Sequence, residues 1–556
     1  MNRLRQLQDC SFDVIVIGGG IIGAGVARDA ALRGLKVALF EKNDFSAGTT
    51  SGSSRLIHGG LRYLEMLDFR LVRMDLRERE ILLQIAPHLI RPLEFILPFY
   101  DRSAFYRLKM KIGMMLYHRI SSGSRLPSYR FLTAAQVQSA EPGLKSNGLQ
   151  GGVSYYDAQV TSPERLCLEN LIDAAHHGAS VVNYAAVTGL LRSGGGVEGV
   201  VVKDFPSGER MHLRAPVVVN ATGAWLDRVS KELMPAAASR LRTTKGIHIA
   251  FPAVNERAVV LFSSLDARLF FVIPWLGYSW VGTTDTDYLD DPGQARATGE
   301  DVRYLLRSVQ EYFPSLHSEG VLYSNCGVRA LVKKSGRESD VSRMHRVADE
   351  KDNGVGGLIS VLGGKITGYR AIAEEVTDLV CAKLGKGRTC STATDPLPGC
   401  QSLAVGSSAS GLNQETIRHL HSIYGSRACE VIEIADEDPR HRQRLSEYSP
   451  DIAAQVLFAV RSEYCLRLSD FMLRRTMMGY SHDQGMSAVK AVAECMAREF
   501  GWSSDMVAGE IQSYEQHIRR TQAFRAELET VLRPEHPKKF TTEMRRGRPQ
   551  AEEAED

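Results

Sequence analysis

The chain has 556 residues, enough for roughly two to four domains with substantial hydrophobic cores. Its net charge is only +3, which argues against binding of a polyanion by the whole surface. The nine cysteines are scattered without a CxxC pair, so we expect free thiols and neither a disulfide framework nor a metal site.

The first predicted elements form a βαβ unit with a nucleotide-binding turn. "FDVIVIGGG" predicts a buried strand, "IIGAGVARDAALRG" a helix and "KVALFEK" a second strand. Gly18, Gly20 and Gly23 fit the pattern G-x-G-x-x-G, and Glu41 ends the second strand. Such glycines let the backbone approach a pyrophosphate at a helix N-terminus, while the acid binds ribose hydroxyls and disfavours NADP.

The stretches that follow favour FAD over NAD. "NDFSAGTTSGSSRLIHGG" carries small hydroxyl residues suited to an extended dinucleotide, and "NATGAW" and "GGKITGYR" supply a later loop and a further helix N-terminus for a flavin. A second formal glycine match, in "GGGVEG", precedes a strand-like segment and predicts a hairpin turn. The predicted FAD-binding residues are Gly18, Gly20, Gly23, Glu41, Thr49, Thr50, Ser51, Ser53, Ser54, Gly59, Gly60, Ala221, Thr222, Gly223, Gly364, Lys365, Ile366 and Thr367.

The order of strand-rich and helix-rich stretches predicts an α/β fold in three structural parts. These are a Rossmann-like FAD-binding domain, an interleaved antiparallel-sheet substrate domain and a C-terminal helical domain. The predicted bounds are 10–60, 150–228 and 345–388 for the FAD-binding domain, 61–149 and 229–344 for the substrate and membrane-facing domain, 389–411 for a linker, 412–533 for the helical domain and 534–556 for a disordered tail.

Six ordered motifs resemble one enzyme family. "DVIVIGGGIIGAGVARDAALRG", "SGSSRLIHGGLRYLE", "KGIHIA", "WVGTTDTDY", "CGVRALV" and "GGKITGYR" are similar to the FAD-dependent (aerobic, respiratory) glycerol-3-phosphate dehydrogenases. The resemblance implies oxidation of sn-glycerol 3-phosphate to dihydroxyacetone phosphate, with electrons passed from FAD to membrane ubiquinone or menaquinone. It also implies a peripheral protein of the cytoplasm, on the cytoplasmic face of the inner or plasma membrane.

The substrate carries a phosphate dianion, which guanidinium groups bind through forked, charge-assisted hydrogen bonds. By resemblance, the substrate pocket is lined by Arg62, Tyr63, His248, Arg329, Arg343 and Lys365.

The reaction transfers a hydride from C2 of the substrate to flavin N5 while the C2 hydroxyl loses a proton. An imidazole titrates near neutral pH, which makes His58 the first candidate for the general base and His248 its rival. Arg329 is expected to stabilise the developing oxyanion. Gly59 and Gly60 would let the backbone pass close to the flavin.

Residues 102–140 contain no acidic residue and seven arginines or lysines. Within this stretch, "AFYRLKMKIGMMLYHRI" mixes cations with aromatic and methionine-rich positions, a profile typical of a helix on anionic lipid. We therefore predict peripheral membrane contact through about 102–130, the alternative being an ordinary surface helix. We find no nucleic-acid recognition motif.

Three alternatives remain at this point. A glycerol-3-phosphate oxidase, which uses oxygen, usually has an insertion in the substrate domain that we do not see here. "KLGKGRTCSTATDPLPG" resembles the large subunit of an anaerobic-type complex, but the C-terminal cysteine cluster of that branch is missing. The third is a non-enzymatic flavin-binding protein. For the helical domain, contact between two copies in a homodimer is a candidate role.

Overall fold

The computed structural model describes residues 4–8, 10–65, 68–101, 103–121, 123–333, 344–400 and 411–532. Its strands are β1 (Val14–Ile17), β2 (Val37–Phe40), β3 (Leu56–Ile57), β4 (Ile90–Tyr100), β5 (Arg130–Leu132), β6 (Leu149–Val160), β7 (Ser180–Val182), β8 (Ala185–Ser193), β9 (Gly196–Asp204), β10 (Arg210–Arg214), β11 (Val217–Asn220), β12 (Leu241–Pro252), β13 (Ala258–Phe262), β14 (Leu269–Trp275), β15 (Tyr278–Gly282), β16 (Thr286–Asp287), β17 (Tyr323–Val332), β18 (Arg346–Asp349), β19 (Leu358–Leu362), β20 (Arg444–Ser446) and β21 (Ser449–Ile452). Its α-helices are α1 (Ile21–Leu32), α2 (Arg62–Glu65), α3 (Phe69–Ile85), α4 (Ala104–Ile120), α5 (Ala134–Ala140), α6 (Pro163–His176), α7 (Leu226–Leu233), α8 (Gly299–Gln310), α9 (Tyr369–Leu384), α10 (Gln414–Tyr424), α11 (Ala428–Glu437), α12 (Ala453–Ser462), α13 (Leu468–Asp470), α14 (Val489–Phe500), α15 (Ser504–Gln522) and α16 (Phe524–Leu532).

The predicted βαβ unit forms the centre of a six-stranded sheet with the order β18-β19-β11-β1-β2-β7. β1 lies between β11 and β2 and is parallel to both, with Val14 opposite Val217 and Val37. All four residues of β1 are buried, as expected for a parallel strand covered on both faces. Helices α1, α6 and α9 pack on one face, and the small sheet β10-β9-β8 packs on the other. The predicted α/β class is confirmed.

The second sheet is larger and has the order β16-β12-β15-β14-β13-β4-β6-β3, with β17 also paired to β12 and β5 to β6. Its pairs are antiparallel except for β13 with β4. The strands predicted around Leu276 and Gly277 are β14 and β15, and both turn residues have positive φ, as a type I′ hairpin requires. The glycine run at Gly194 and Gly195 makes the predicted hairpin between β8 and β9 in the same way.

The strand β6 lies in a different sheet from the one its predicted domain implies. Residues 150–228 are predicted to belong to the FAD-binding domain, whereas β6 pairs with β4 of the larger sheet from Ile90↔Val160 to Tyr100↔Leu149. β3, within the predicted segment 10–60, pairs with β6 and lies in the larger sheet too. The partner strands are distant in sequence, so no local pattern shows this pairing.

After residue 411 the described chain is largely helical, from α10 to α16, and has its own hydrophobic clusters. The sequence-based prediction did not include the short hairpin of β20 and β21 in this part. Buried ion pairs connect it to the rest of the molecule. Glu463 binds Arg165 of α6 at 2.6 Å, and Arg475 binds Asp44 beside the first glycine turn at 2.7 Å.

Helix α4 coincides with the predicted interfacial helix. Ser103 caps its N-terminus by accepting a hydrogen bond from the backbone N–H of Tyr106. Met110, Met114 and Tyr117 are buried against the larger sheet. None of the helices in the described parts of the chain is long and apolar enough to cross a membrane.

Candidate active site

A cavity of 460 Å³ lies between the two sheets. Its wall includes residues at or just after the carboxyl ends of β1, β2, β11 and β19, the edge at which open parallel sheets bind nucleotides. Residues of β12 and β17 from the larger sheet complete it. The volume lies in the range of small-molecule and cofactor sites.

At the glycine turn, backbone atoms without side chains form part of the cavity wall. Gly18 has a φ of +107°, and a Cβ added there would lie 2.8 Å from the carbonyl oxygen of Ala221. A Cβ on Gly23 would lie 1.9 Å from the carbonyl oxygen of Gly18, so this glycine permits close contact between α1 and the turn. Helix α1 begins at Ile21, and the partial positive charge at its N-terminus makes this wall suitable for a pyrophosphate.

Glu41 lines the cavity directly after β2. Its carboxylate accepts hydrogen bonds from the backbone N–H groups of Gly19 at 2.7 Å and Asn43 at 2.9 Å. Burial raises the pKa of Glu41, and these two bonds act in the opposite direction. A carboxylate held in this way is positioned to accept hydrogen bonds from ribose hydroxyls.

The hydroxyl residues after Glu41 serve both the cavity and the fold. Thr50 accepts a hydrogen bond from the backbone N–H of Ile21 at 3.1 Å and so caps α1. Thr49 donates to the carbonyl of Val328 at 2.7 Å, which connects this loop to β17. The loop therefore joins the two sheets around the cavity.

The segment 363–367 between β19 and α9 forms another part of the wall. Gly363 and Gly364 have φ values of +70° and +103°, which favour glycine. Thr367 accepts a hydrogen bond from the backbone N–H of His58 at 3.3 Å. An anion-binding turn, an acid for ribose and a second helix start on one cavity are the features that FAD requires, so the residues present fit this cofactor.

His248 projects from β12 into a mostly apolar environment. Its side chain stacks on Trp280 with ring centroids 5.4 Å apart, and its Nε2 shares a hydrogen bond with Ser54 at 2.9 Å. Burial, together with the charges of Arg329 and Arg55, lowers the pKa of His248 to about 3. The ring is therefore neutral at physiological pH.

Arg329 projects from β17 and lies over the neighbouring strand β12. Its guanidinium donates to Asp285 at 3.0 Å and to the Thr283 hydroxyl at 2.7 Å. A Cβ added to Gly246 would lie only 2.2 Å from Nη2, so the absence of a side chain at Gly246 makes room for the guanidinium. This is a fixed cation on the cavity wall.

Lys365 is another cation on the wall, and its side chain is 11% exposed. Its ammonium donates to Asp75 of α3 at 2.5 Å. The same nitrogen lies 4.0 Å from the ring centroid of Tyr63, a cation–π contact. The face of the Tyr63 ring therefore contacts the Lys365 ammonium.

Most predicted residues share this one cavity wall. The residues in question are Gly18, Gly20, Glu41, Thr49, Thr50, Ser53, Ser54, His58, Ala221, Thr222, Gly223, His248, Arg329, Gly364, Lys365, Ile366 and Thr367. Of the other predicted residues that the structure describes, Gly23, Ser51, Gly59, Gly60 and Tyr63 lie outside the wall. Arg62 begins the short helix α2, and Arg343 lies outside the described residues.

The prediction was that Gly59 and Gly60 let the backbone pass close to the flavin, whereas protein side chains fill the space beside both glycines. A Cβ on Gly59 would lie 2.4 Å from both Leu76 and the Tyr117 hydroxyl, and one on Gly60 would lie 2.4 Å from the ring of Tyr63. Helices α3 and α4 and the Tyr63 ring therefore explain the need for glycine here.

Sequence reasoning missed the residues at another part of the wall. Trp225 donates to Asp291 at 3.1 Å, Lys42 lies 4.7 Å from the Trp225 ring, and Arg228 pairs with Asp291 at 3.5 Å. All four line the cavity. Trp225 could have been predicted, because it ends the motif "NATGAW". Asp291 could not, because it comes from a distant loop without a recognisable sequence motif.

This geometry defines the class: the fold and cavity are those of an FAD-dependent oxidoreductase. The FAD dependent oxidoreductase family profile matches residues 13–379, and that of the C-terminal domain of alpha-glycerophosphate oxidase matches residues 390–507. A glycerol-3-phosphate dehydrogenase from Synechocystis sp. is 37% identical over 94% of this chain and 98% of its own. An aerobic glycerol-3-phosphate dehydrogenase from Staphylococcus epidermidis is 33% identical over 90% of this chain and 93% of its own.

Among solved structures, the glycerol-3-phosphate dehydrogenase from Bacillus halodurans complexed with FAD aligns with a TM-score of 0.77 at 28% identity, covering 93% of this chain and 97% of that one. An L-alpha-glycerophosphate oxidase from Mycoplasma pneumoniae aligns with a TM-score of 0.54 at 18% identity, over 67% of this chain and 95% of its own, a likeness of fold alone. The chain belongs to the family of FAD-dependent glycerol-3-phosphate dehydrogenases. The predicted family and the predicted cofactor, FAD, are confirmed.

Proposed function

We propose that the protein oxidises sn-glycerol 3-phosphate to dihydroxyacetone phosphate and passes the electrons from FAD to a membrane quinone. The observation that carries this proposal is that His58, Arg329 and Lys365 share one cavity wall with the FAD-binding turn. The names of relatives at 33–37% identity support the substrate.

Two of the cations on the wall, Arg329 and Lys365, suit a phosphorylated substrate. Arg329 and Lys365 each have a carboxylate partner, Asp285 and Asp75, which holds the cation in place at the cavity wall, where it can attract a bound anion. Charge-assisted hydrogen bonds to such an anion contribute roughly 1.5–3 kcal/mol each. Arg62, Tyr63 and Arg343 complete the proposed set of substrate residues.

When bound, FAD supplies the acceptor for the two electrons and the hydrogen that leave C2 of the substrate. We assign the general base to His58, which takes the proton of the C2 hydroxyl. Because its pKa is about 3, His248 acts through its hydrogen bond with Ser54 rather than as a proton store. Arg329 stabilises the negative charge that develops on the C2 oxygen.

Anaerobic titration of the FAD-loaded protein with sn-glycerol 3-phosphate tests the proposal. We expect loss of the visible flavin absorbance and formation of one dihydroxyacetone phosphate per flavin. An unchanged spectrum with flavin bound would refute the substrate assignment. For the acceptor, we expect the reduced protein to be reoxidised much faster by a water-soluble quinone than by oxygen. Rapid peroxide formation in air would instead favour the oxidase alternative.

We also propose that α4 holds the protein on the membrane surface. Phe105, Leu108, Ile112 and Met115 recur at helical spacing and are 76%, 55%, 55% and 58% exposed. Arg107, Lys109 and Lys111 are exposed beside them. Exposed apolar side chains bordered by cations are the features of a helix that lies in an anionic lipid surface.

A further inference from the structure

Lys365 is held at the cavity wall by a partner from a different part of the fold. The lysine comes from the loop between β19 and α9, whereas Asp75 lies on α3, 290 residues earlier in the chain. Asp75 is fully buried and Lys365 is almost so. The Asp75 carboxylate therefore binds Lys365 from the protein interior and is not itself part of the cavity wall.

The surroundings of Asp75 are unfavourable for a carboxylate that only stabilises the fold. Its Oδ1 atom has no hydrogen-bond partner among the residues that the structure describes. Burial raises the pKa of Asp75 to about 6, and Asp157 and Glu78 add to this against the opposing effect of Lys365. A buried ion pair often contributes less to stability than well-packed apolar side chains would. The ion pair is better explained by its effect on Lys365, whose ammonium it holds in one position.

The position of the ammonium is defined from two sides. Asp75 Oδ2 lies 2.5 Å away and the Tyr63 ring centroid lies 4.0 Å away. A lysine side chain has four rotatable bonds and loses rotamer entropy when it is fixed. Fixing it before the substrate arrives removes this cost from binding.

We propose that Asp75 is a positioning residue that holds the Lys365 ammonium at the cavity wall, ready to bind the anionic group of the substrate. The inference rests on the proposed function. It assigns the Asp75 carboxylate no contact with substrate or FAD; Asp75 acts through Lys365.

The groups that face Asp75 determine how its effect depends on pH. They come from the loop before α9, from α3 itself and from β6, namely Lys365, Glu78 and Asp157. Glu78 and Asp157 have their own buried partners, Arg370 at 2.6 Å and Arg79 at 2.5 Å. Protonation of Asp75 below pH 6 weakens its hold on Lys365, so substrate binding should weaken in that range.

The test compares Asp75→Asn with a control on the same helix. Glu78→Gln is also a shape-preserving change at a buried carboxylate of α3, but Glu78 binds Arg370, which is not on the cavity wall, whereas Asp75 binds Lys365, which is. We expect Asp75→Asn to raise the apparent dissociation constant for sn-glycerol 3-phosphate about tenfold or more, measured by anaerobic flavin reduction. FAD content should be unchanged, Asp75→Glu should recover part of the affinity, and Glu78→Gln should stay close to the wild type.

A second measurement reports on Lys365 without any substrate. Brief labelling of the holoenzyme with acetic anhydride, read by peptide mass spectrometry, gives the acylation rate of the Lys365 amine. We expect this rate to rise several-fold in Asp75→Asn. Because the phosphate of the substrate also titrates near pH 6, we expect the affinity of both proteins to fall below that pH, but more steeply in the wild type than in Asp75→Asn. If Asp75→Asn does not fold, the same two measurements, substrate affinity and the acylation rate of Lys365, are made on Asp75→Glu, and wild-type values for both would overturn the inference.

Three results would overturn the inference. One is wild-type affinity and wild-type labelling in Asp75→Asn; another is an equal loss of affinity in Glu78→Gln, which would mark a general effect of buried carboxylates. The third is a wild-type protein that sn-glycerol 3-phosphate does not reduce. In that last case the proposed function fails with it, and the labelling rate shows separately whether Asp75 controls the lysine.

Discussion

His58 and His248 both line the cavity, but their surroundings give them different chemistry. His248 is buried against Trp280, and its pKa of about 3 keeps the ring neutral from acid to alkaline pH. His58 is partly exposed, and its backbone is tied to Thr367. The sequence left open which of the two histidines is the general base. Our proposal chooses His58 because His248 is buried, and burial cannot be read from the residue type.

Replacing the proposed base should slow flavin reduction without emptying the cofactor site. We expect His58→Ala to lower the rate of anaerobic flavin reduction by sn-glycerol 3-phosphate about 10²- to 10⁴-fold, the usual contribution of a general base. His248→Asn, which can still bond Ser54, should cost less and leave the pH profile between pH 5 and 9 unchanged. Stopped-flow absorbance measures both; a wild-type rate in His58→Ala would remove it from this role.

Gly246 offers a way to move Arg329 without changing the arginine itself. In Gly246→Ala the new methyl group would lie 2.2 Å from Nη2, and because this atom is at the far end of a flexible side chain, the arginine should move rather than the strand. We expect kcat/KM to fall about 10²-fold, as for loss of one oxyanion donor. Gly189→Ala is the matched control, because its nearest neighbour is Val201 at 3.8 Å. Thermal unfolding should be similar in both; unchanged activity in Gly246→Ala would contradict the role of Arg329.

The residues nearest the glycine motif were the easiest to predict from sequence. The turn at Gly18 and the acid at Glu41 depend on neighbours within one βαβ unit, so their spacing is enough to identify them. Asp75 and Asp291 were missed because each meets the cavity through contacts with segments far along the chain. Gly59 was predicted as a site residue because it is a glycine. Its packing against helices α3 and α4 is a tertiary contact that the sequence does not show.

At the level of elements, α4 presents an apolar face that the fold leaves uncovered. We expect the double change Leu108→Ser and Ile112→Ser to weaken co-sedimentation with vesicles rich in anionic phospholipid, because each buried apolar side chain contributes about 1.5–3 kcal/mol. Flavin reduction by sn-glycerol 3-phosphate should not change. The control carries Leu289→Ser and Met506→Ser, which alter exposed apolar residues elsewhere. Equal vesicle binding by the two variants would argue against α4 as the contact.

Elements whose pattern is local were predicted well, and elements defined by distant partners were not. The strands beside Leu276 and Gly277 follow from a turn of two residues with positive φ. In α14 the apolar spacing predicts one buried face, and Val492 and Met496 are buried, but Phe500 at the end of the helix is 37% exposed and stacks on Trp502. The sheet to which β6 belongs depends on β4, some 60 residues earlier, and no periodicity shows that.

At the scale of the whole molecule, the C-terminal part is tied directly to the cofactor-binding loop. Asp44 follows Glu41 by three residues and accepts hydrogen bonds from Arg475 at 2.7 and 2.8 Å and from Arg474 at 2.5 Å. Composition predicted a separate helical part, but this connection could not be read from sequence, because 430 residues separate the partners. The helical part therefore supports the loop that lines the FAD cavity.

Asp44→Asn should destabilise the protein by about 3–5 kcal/mol at neutral pH, because it removes the buried carboxylate that both Arg474 and Arg475 bind. Burial alone would raise the pKa of Asp44, but Arg475 and Arg474 hold it below its usual range. A carboxylate with a depressed folded-state pKa contributes its full stability above its unfolded pKa of about 3.9 and loses it as the pH falls through the folded value. The difference between Asp44→Asn and wild type should therefore be constant from pH 5 to 8 and shrink only below about pH 4.

Urea unfolding of the holoenzyme, followed by circular dichroism and by flavin release, measures this difference. Flavin should be released from Asp44→Asn at lower urea than from wild type, because the weakened contact borders the loop that lines the cavity. Asp438→Asn is the control, since its partner Arg440 is an exposed neighbour on the same turn and the pair holds no two parts together. If the two variants unfold alike, the buried contact does not support the cofactor-binding loop.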